Sequence, residues 1–226
     1  MIIFDPLYLL IVAPGFLLAL WATFKVKSTF NRYSKVSIAS RASGAQVARE
    51  LLERSGIHDV GVEPHHGFLS DHYHPTEKVV RLSENVFHGR SVSAVGVAAH
   101  EVGHAIQHAQ GYGLMRLRQM LVGPANLGSN LSYILVIVGF LFHAGGLIWI
   151  GVILFSAVVA FQLVTLPVEL NASKRARRQL VATGIVSQAE GREVGKVLNA
   201  AAMTYLAAVI TSLLTLVYFV LRASDR

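Results

Sequence analysis

Cysteine is missing altogether from this chain of 226 residues. Disulfide staples and thiolate metal ligands are thereby excluded, and the redox compartment is left open. Charge is scarce as well: 15% of residues are Asp, Glu, Lys or Arg, against about 25% in an ordinary soluble domain. Acid is scarcer than base, 13 residues against 20, for a formal charge of +7. Such an excess raises the idea of a nucleic-acid partner. The basic residues collect beside apolar segments, however, so membrane orientation accounts for them better and no nucleic-acid partner is expected. Internal repeats and low-complexity linkers are also lacking. What is abundant is apolar surface, 53% of the residues, and this composition points to the lipid bilayer.

Crossing the hydrocarbon takes about 20 apolar residues in a helix. The first candidate runs from Ile2 to Phe24, broken by Asp5, Pro6 and Pro14. It has neither a basic leader nor a small-residue cleavage site and reads as a retained anchor. A second runs from Leu127 to Phe142, borrowing residues from Leu121 onward, and a third from Leu147 to Leu166. His143-Ala144-Gly145-Gly146 joins them into a tight hairpin, and a fourth segment spans Ala200 to Leu221. Lys25, Lys27, Arg32 and Lys35 follow the first segment; Lys174, Arg175, Arg177 and Arg178 follow the third. The bias of base to the cytoplasmic side puts both polar regions there and both termini outside.

The chain thus divides into an anchor (1–24), a polar domain (25–120), a membrane hairpin (121–167), a second polar segment (168–199) and a last helix with its tail (200–226). The expected fold is a mainly α integral membrane protein, about four transmembrane helices plus a small α+β zincin-like cytoplasmic domain. Within the polar domain, Ser43 to Ser55 has the spacing of an amphipathic helix stopped by Gly56. Val60–Glu63, Gly67–Leu69 and Val79–Leu82 are expected as short strands.

His100-Glu101-Val102-Gly103-His104 carries the chemistry. Positions i and i+4 share one helix face, so both imidazoles can meet one Zn²⁺. Glu101 sits on a neighbouring face, placed to take a proton from a water that the metal polarises. No proline interrupts Ser91 to Gln110, and Gly111 is a natural stop. Catalytic zinc usually takes three protein ligands. His108 continues the series, but it lies about 12 Å along the axis from His100, too far to share the ion. Gln107 and Gln110 stand where a metzincin needs Gly and His. Glu169, where the third apolar segment returns to the cytoplasmic side, is the best third ligand. A carboxylate there is costly unless metal-bound, hydrated or paired, and pairing with Lys174 or Arg175 is the competing role. Asn171 and Ser173 could orient a ligating histidine through its second nitrogen. His65, His66, His72 and His74 cluster in the strand region, where they could form a second metal site or assist the transition state but read better as exposed loop residues; His88 reads as a turn residue. His143 falls on the opposite side of the membrane.

Asp71-His72-Tyr73, Arg81-Leu82-Ser83-Glu84, Gly89-Arg90-Ser91 and Val97 through His108, with Leu166-Pro167-Val168-Glu169 and Ala172-Ser173, resemble the YugP-like neutral zinc metallopeptidases of bacterial membranes. The likeness spans essentially the whole chain. More distantly, the helix plus a downstream glutamate is similar to the HtpX-like membrane proteases and the gluzincin arrangement. The resemblance implies peptidase activity, a Zn²⁺ cofactor, His100, His104 and Glu169 as ligands and Glu101 as catalytic base. It implies a multi-pass protein of the bacterial inner membrane. Tyr73 or His72 is a candidate transition-state donor. Asn171 departs from the family signature, which usually has Asp there; if that carboxylate tunes a ligand histidine, weaker metal binding is the expected consequence.

The implied partners are lipid and a peptide or protein substrate; a membrane-protein partner or a homo-oligomer is compatible with the sequence. The rival reading is a catalytically silent zinc-binding scaffold, against which an intact Glu101 speaks. A divalent-cation transporter would need polar ligands in mid-membrane, and the apolar segments offer none.

Overall fold

The computed structural model describes residues 5–224. Ile2–Phe4 of the expected anchor and Asp225-Arg226 of the expected tail lie outside the described residues. The elements in chain order are α1 (Pro6–Tyr33), α2 (Gly44–Arg54), β1 (Gly61–His65), β2 (His72–His74), β3 (Val79–Ser83), α3 (Glu84–Phe87), α4 (Val92–Ala109), α5 (Gly113–Leu141), α6 (Gly145–Ala182) and α7 (Gln188–Ser224). Four of these helices, α1, α5, α6 and α7, are long and apolar enough to cross a membrane. The chain is therefore mainly α, with a small three-stranded sheet.

Contacts divide the chain into two compact units. One comprises residues 1–23, 113–167 and 203–226; the other comprises 24–112 and 168–202. The helices run past the apolar segments read from the sequence. Apolar runs end gradually, whereas helical hydrogen bonding continues through them. Thus α5 starts at Gly113 and passes through Pro124 without a break. Likewise α6 continues through Pro167 and Glu169 to Ala182 as one helix, and Gly145-Gly146 belong to it rather than to the turn. The turn is carried instead by His143, at φ 55°.

In the apolar unit, Val136, Ile148, Val152, Phe155, Tyr218 and Phe219 form the buried centre. Tyr133, Phe155 and Phe219 meet edge to face, with ring centroids 5.2–5.7 Å apart. Asp5, which interrupts the first apolar run, accepts hydrogen bonds from the Arg222 guanidinium and the Tyr218 hydroxyl. Helices α5 and α6 approach closely because glycines remove side chains between them. A Cβ on Gly128 would fall 2.3 Å from the Leu154 carbonyl oxygen, and one on Gly151 3.0 Å from that of Ser132. Membrane helices pack through small residues in this way.

In the polar unit, α2 is closed at its start by a reciprocal capping box: Gln46 N–H donates to Ser43 Oγ, and Ser43 N–H to Gln46 Oε1. Val47, Ala48, Leu51 and Leu52 are buried. The sheet order is β1-β3-β2, β1 parallel and β2 antiparallel to β3. Expected strand Gly67–Leu69 is a turn instead. Gly67 and Leu69 both have positive φ, and Ser70 Oγ donates back to the His66 and Gly67 carbonyls. The second strand lies at His72–His74. Asp71, just before it, accepts from both the N–H and the Oγ of Ser83 and so pins β2 to the end of β3. Burial raises the Asp71 pKa from its ordinary value, with the Ser83 donors opposing.

Helix α4 starts at Ser91, whose Oγ accepts the Ala94 N–H, and stops before Gly111 at φ 62°. It lies backbone to backbone against α6: a Cβ on Gly103 would stand 2.8 Å from the Ala172 carbonyl oxygen. Gly103→Ala should therefore force the two helices apart at a point where neither backbone can yield. We expect a loss of about 1–3 kcal/mol, as for other overpacked positions, read as a lowered Tm; an unchanged Tm would show that this contact is looser than the structure makes it.

Candidate metal centre

The rotation of α4 brings His100 and His104 to one face, their ring centroids 4.8 Å apart. Helix α6 supplies Glu169 opposite them. Glu169 Oε2 stands 3.1 Å from His100 Nε2 and 3.4 Å from His104 Nε2. The donor atoms of the three residues all lie within 4.8 Å of one another, the sole such histidine–carboxylate group among the described residues. Zinc bound tetrahedrally at about 2.0–2.1 Å sets its ligands about 3.3 Å apart. The spacing thus fits a single ion, as does the chemistry of the donors, two imidazoles and a carboxylate.

Each imidazole is fixed from behind. Ser173 Oγ lies 3.2 Å from His100 Nδ1, and Gln107 Oε1 lies 3.0 Å from His104 Nδ1. With each Nδ1 carrying the proton, both Nε2 lone pairs face Glu169, the tautomer a ligand needs. Gln107 is fully buried, and its amide is orientated in turn: Nε2 donates to the Val168 carbonyl and to Asn171 Oδ1. Arg175 Nε also donates to Asn171 Oδ1, at 2.7 Å, and its Nη1 to Gln110 Oε1. Asn171 therefore reaches a histidine through Gln107, not directly. Arg175, a candidate partner for Glu169, is held by Asn171 and Gln110.

Glu101, beside His100 on α4, is buried at 7% exposure. Burial pushes its carboxyl up to about 7, with the nearby Glu169 and Asp71 charges adding to the rise. His100 opposes this, and the Tyr73 backbone N–H donates to the Glu101 carboxylate. The Tyr73 hydroxyl lies 2.8 Å from His108 Nδ1. Burial raises its pKa too, which keeps it protonated. His72 turns elsewhere: its Nδ1 is 2.8 Å from the Ser70 carbonyl and its ring stacks edge-on with His65. Gln107 was the residue without a sequence signal of its own. Its one visible mark is its place three residues after His104, about one turn further along α4.

A mainly α membrane protein with two helical imidazoles and a carboxylate poised for zinc is the class that fold and site define together. The family model described as "Putative neutral zinc metallopeptidase" matches residues 8–224, and the chain belongs to that family. It is 50% identical over 215 residues, 95% of each chain, to the "Putative membrane protease YugP" of Bacillus subtilis (strain 168). No solved structure matches the chain.

Gln107→Ala should remove the brace behind His104 and leave α4 intact. We expect zinc affinity to fall about 10–100-fold, the usual cost of losing such an outer partner, measured by competition with a chelating dye; unchanged affinity would show that the Gln107 amide does not orient the ring.

Proposed function

We propose that this chain is an integral membrane zinc endopeptidase whose site works at the cytoplasmic face of the bacterial inner membrane. The observation that carries the reading is the convergence of His100 Nε2 and His104 Nε2 on Glu169 Oε2, with the Glu101 carboxylate on the same helix. Three protein donors are the set of a catalytic zinc, whereas structural sites take four. His100, His104 and Glu169 would hold the ion, which when bound polarises a water and the scissile carbonyl.

Glu101 then does the proton work. Its carboxylate accepts the proton of the attacking water and returns it to the leaving amine. Burial suits it to both steps, because a carboxyl near neutrality can take and give a proton at the working pH. The Tyr73 N–H holds the carboxylate in place. Tyr73 and His108, bonded to each other, are the candidates to steady charge on the carbonyl oxygen. The outer edge of β2 lies beside α4, so an extended peptide added to that edge would pass the Glu101 carboxylate. This gives the small α+β unit a zincin-like division of labour between sheet and helix.

Orientation rests on charge. Lys25, Lys27, Arg32, Lys35, Lys174, Arg175, Arg177 and Arg178 all belong to the unit that holds the site. The preference of such residues for the cytoplasm supports an orientation with that unit inside the cell. The other reading, a zinc-binding scaffold without turnover, leaves a buried carboxylate of raised pKa beside the ligands with no task.

Purified Glu101→Gln should keep one zinc per chain and cleave an unfolded protein substrate about 10²–10⁴-fold more slowly than wild type. Undiminished cleavage would remove Glu101 from the mechanism. A zinc-loaded wild type inert toward a broad peptide library would instead support the scaffold.

A further inference from the structure

A cavity of this unit, about 700 Å³ in volume, opens between α6 and α7. Lys174, Arg177 and Arg178 line it, together with Ser173 and the apolar Leu170 and Leu198. No carboxylate is among its lining residues. Among the described residues, the charged ends of these three side chains have neither a hydrogen bond nor an ion pair. The Arg177 side chain lies across Gly195, where a Cβ would stand 3.5 Å from its Cδ and Nη1.

The cavity is not the peptide cleft. His100 presents Nε2 to Glu169 and Nδ1 to Ser173. The metal side and the Ser173 side are therefore opposite edges of one imidazole, and the cavity lies behind the ligand. Its depth is set by α6. The apolar run of that helix ends at Leu166-Pro167, and Lys174 follows seven residues later. At 1.5 Å per residue this is about 10 Å along the axis, and about 15 Å for Arg177, so Leu170 lies in the headgroup layer and the cations stand at its outer border, from which their long side chains reach back toward a phosphate.

We propose that this cavity binds the phosphate of an anionic phospholipid, with Arg177 and Arg178 on the phosphate oxygens and Leu170 and Leu198 against the glycerol and upper acyl chain. Arginine forks suit phosphate oxygens, and unpaired cations at this depth attract anionic lipid. The half-apolar wall favours a lipid over a free anion. The inference goes beyond the peptidase reading and stands whether or not peptide is cleaved.

The test uses the full chain in neutral detergent, titrated with fluorescent phosphatidylglycerol and, separately, phosphatidylcholine. Wild type should bind the anionic lipid about tenfold more tightly or better. R177Q/R178Q should lose this preference, and K174Q should weaken it, while K25Q/K27Q keeps it. Zinc content and helicity equal to wild type confirm that each variant is folded. Equal affinity for the two lipids, a preference that survives both R177Q/R178Q and K174Q, or one that K25Q/K27Q abolishes, overturns the site. Inorganic phosphate provides the other arm: failure to displace the lipid at millimolar concentration supports a lipid site, and displacement there shows a soluble anion to be the ligand instead.

Discussion

A carboxylate that is only 2% exposed governs this structure. Removing the charge of Glu169 from water costs several kcal/mol unless nearby groups compensate. The imidazoles of His100 and His104 lie against it, and they can do so only because α4 and α6 touch backbone to backbone at Gly103 and Ala172. The motif glycine is thus a spacer between helices as much as part of a signature. A larger residue there would separate the carboxylate from the rings.

The hydrogen bonds around this contact run outward in order. Ser173 and Gln107 hold the two Nδ1 atoms; Val168 and Asn171 hold Gln107; Arg175 holds Asn171. A buried polar network is stabilising only when its members are satisfied, and this one ends at Arg175 near the surface. Asn171 fits the chain of donors as an acceptor for two of them. An aspartate in its place would put a full negative charge opposite Arg175 and the Gln107 amide. The consequence for metal binding would be felt through Gln107, one step removed from His104.

Much of the fold was legible in the sequence because helices declare themselves by spacing. The caps of α2 and α4, the glycine stops and the four long apolar helices all follow from local residue chemistry. The sheet was harder. Gly67–Leu69 has strand-like neighbours, but its positive φ angles bend it into a turn, and the strand forms later, where Asp71 can clasp Ser83. Helix ends in the apolar regions were also illegible, since hydropathy falls off at Leu121 and Leu166 while the hydrogen-bonded backbone goes on. Of the site, the two histidines and Glu101 could be read from one helical repeat. Gln107 could not, because an amide acquires its role only from what surrounds it.

By itself, the sequence determined the residue types and their phase: two imidazoles and a carboxylate on one helix, no thiol to compete, and apolar runs long enough for lipid. These depend on neighbours three or four positions apart, which the chain order specifies directly. Tertiary structure alone decided that Glu169, 65 residues after His104, meets both rings, that Gln107 and Ser173 set their tautomers, and that Tyr73 steadies Glu101. Such contacts require helix–helix distances correct to a few tenths of an ångström, and those are fixed by packing between segments that no local pattern relates.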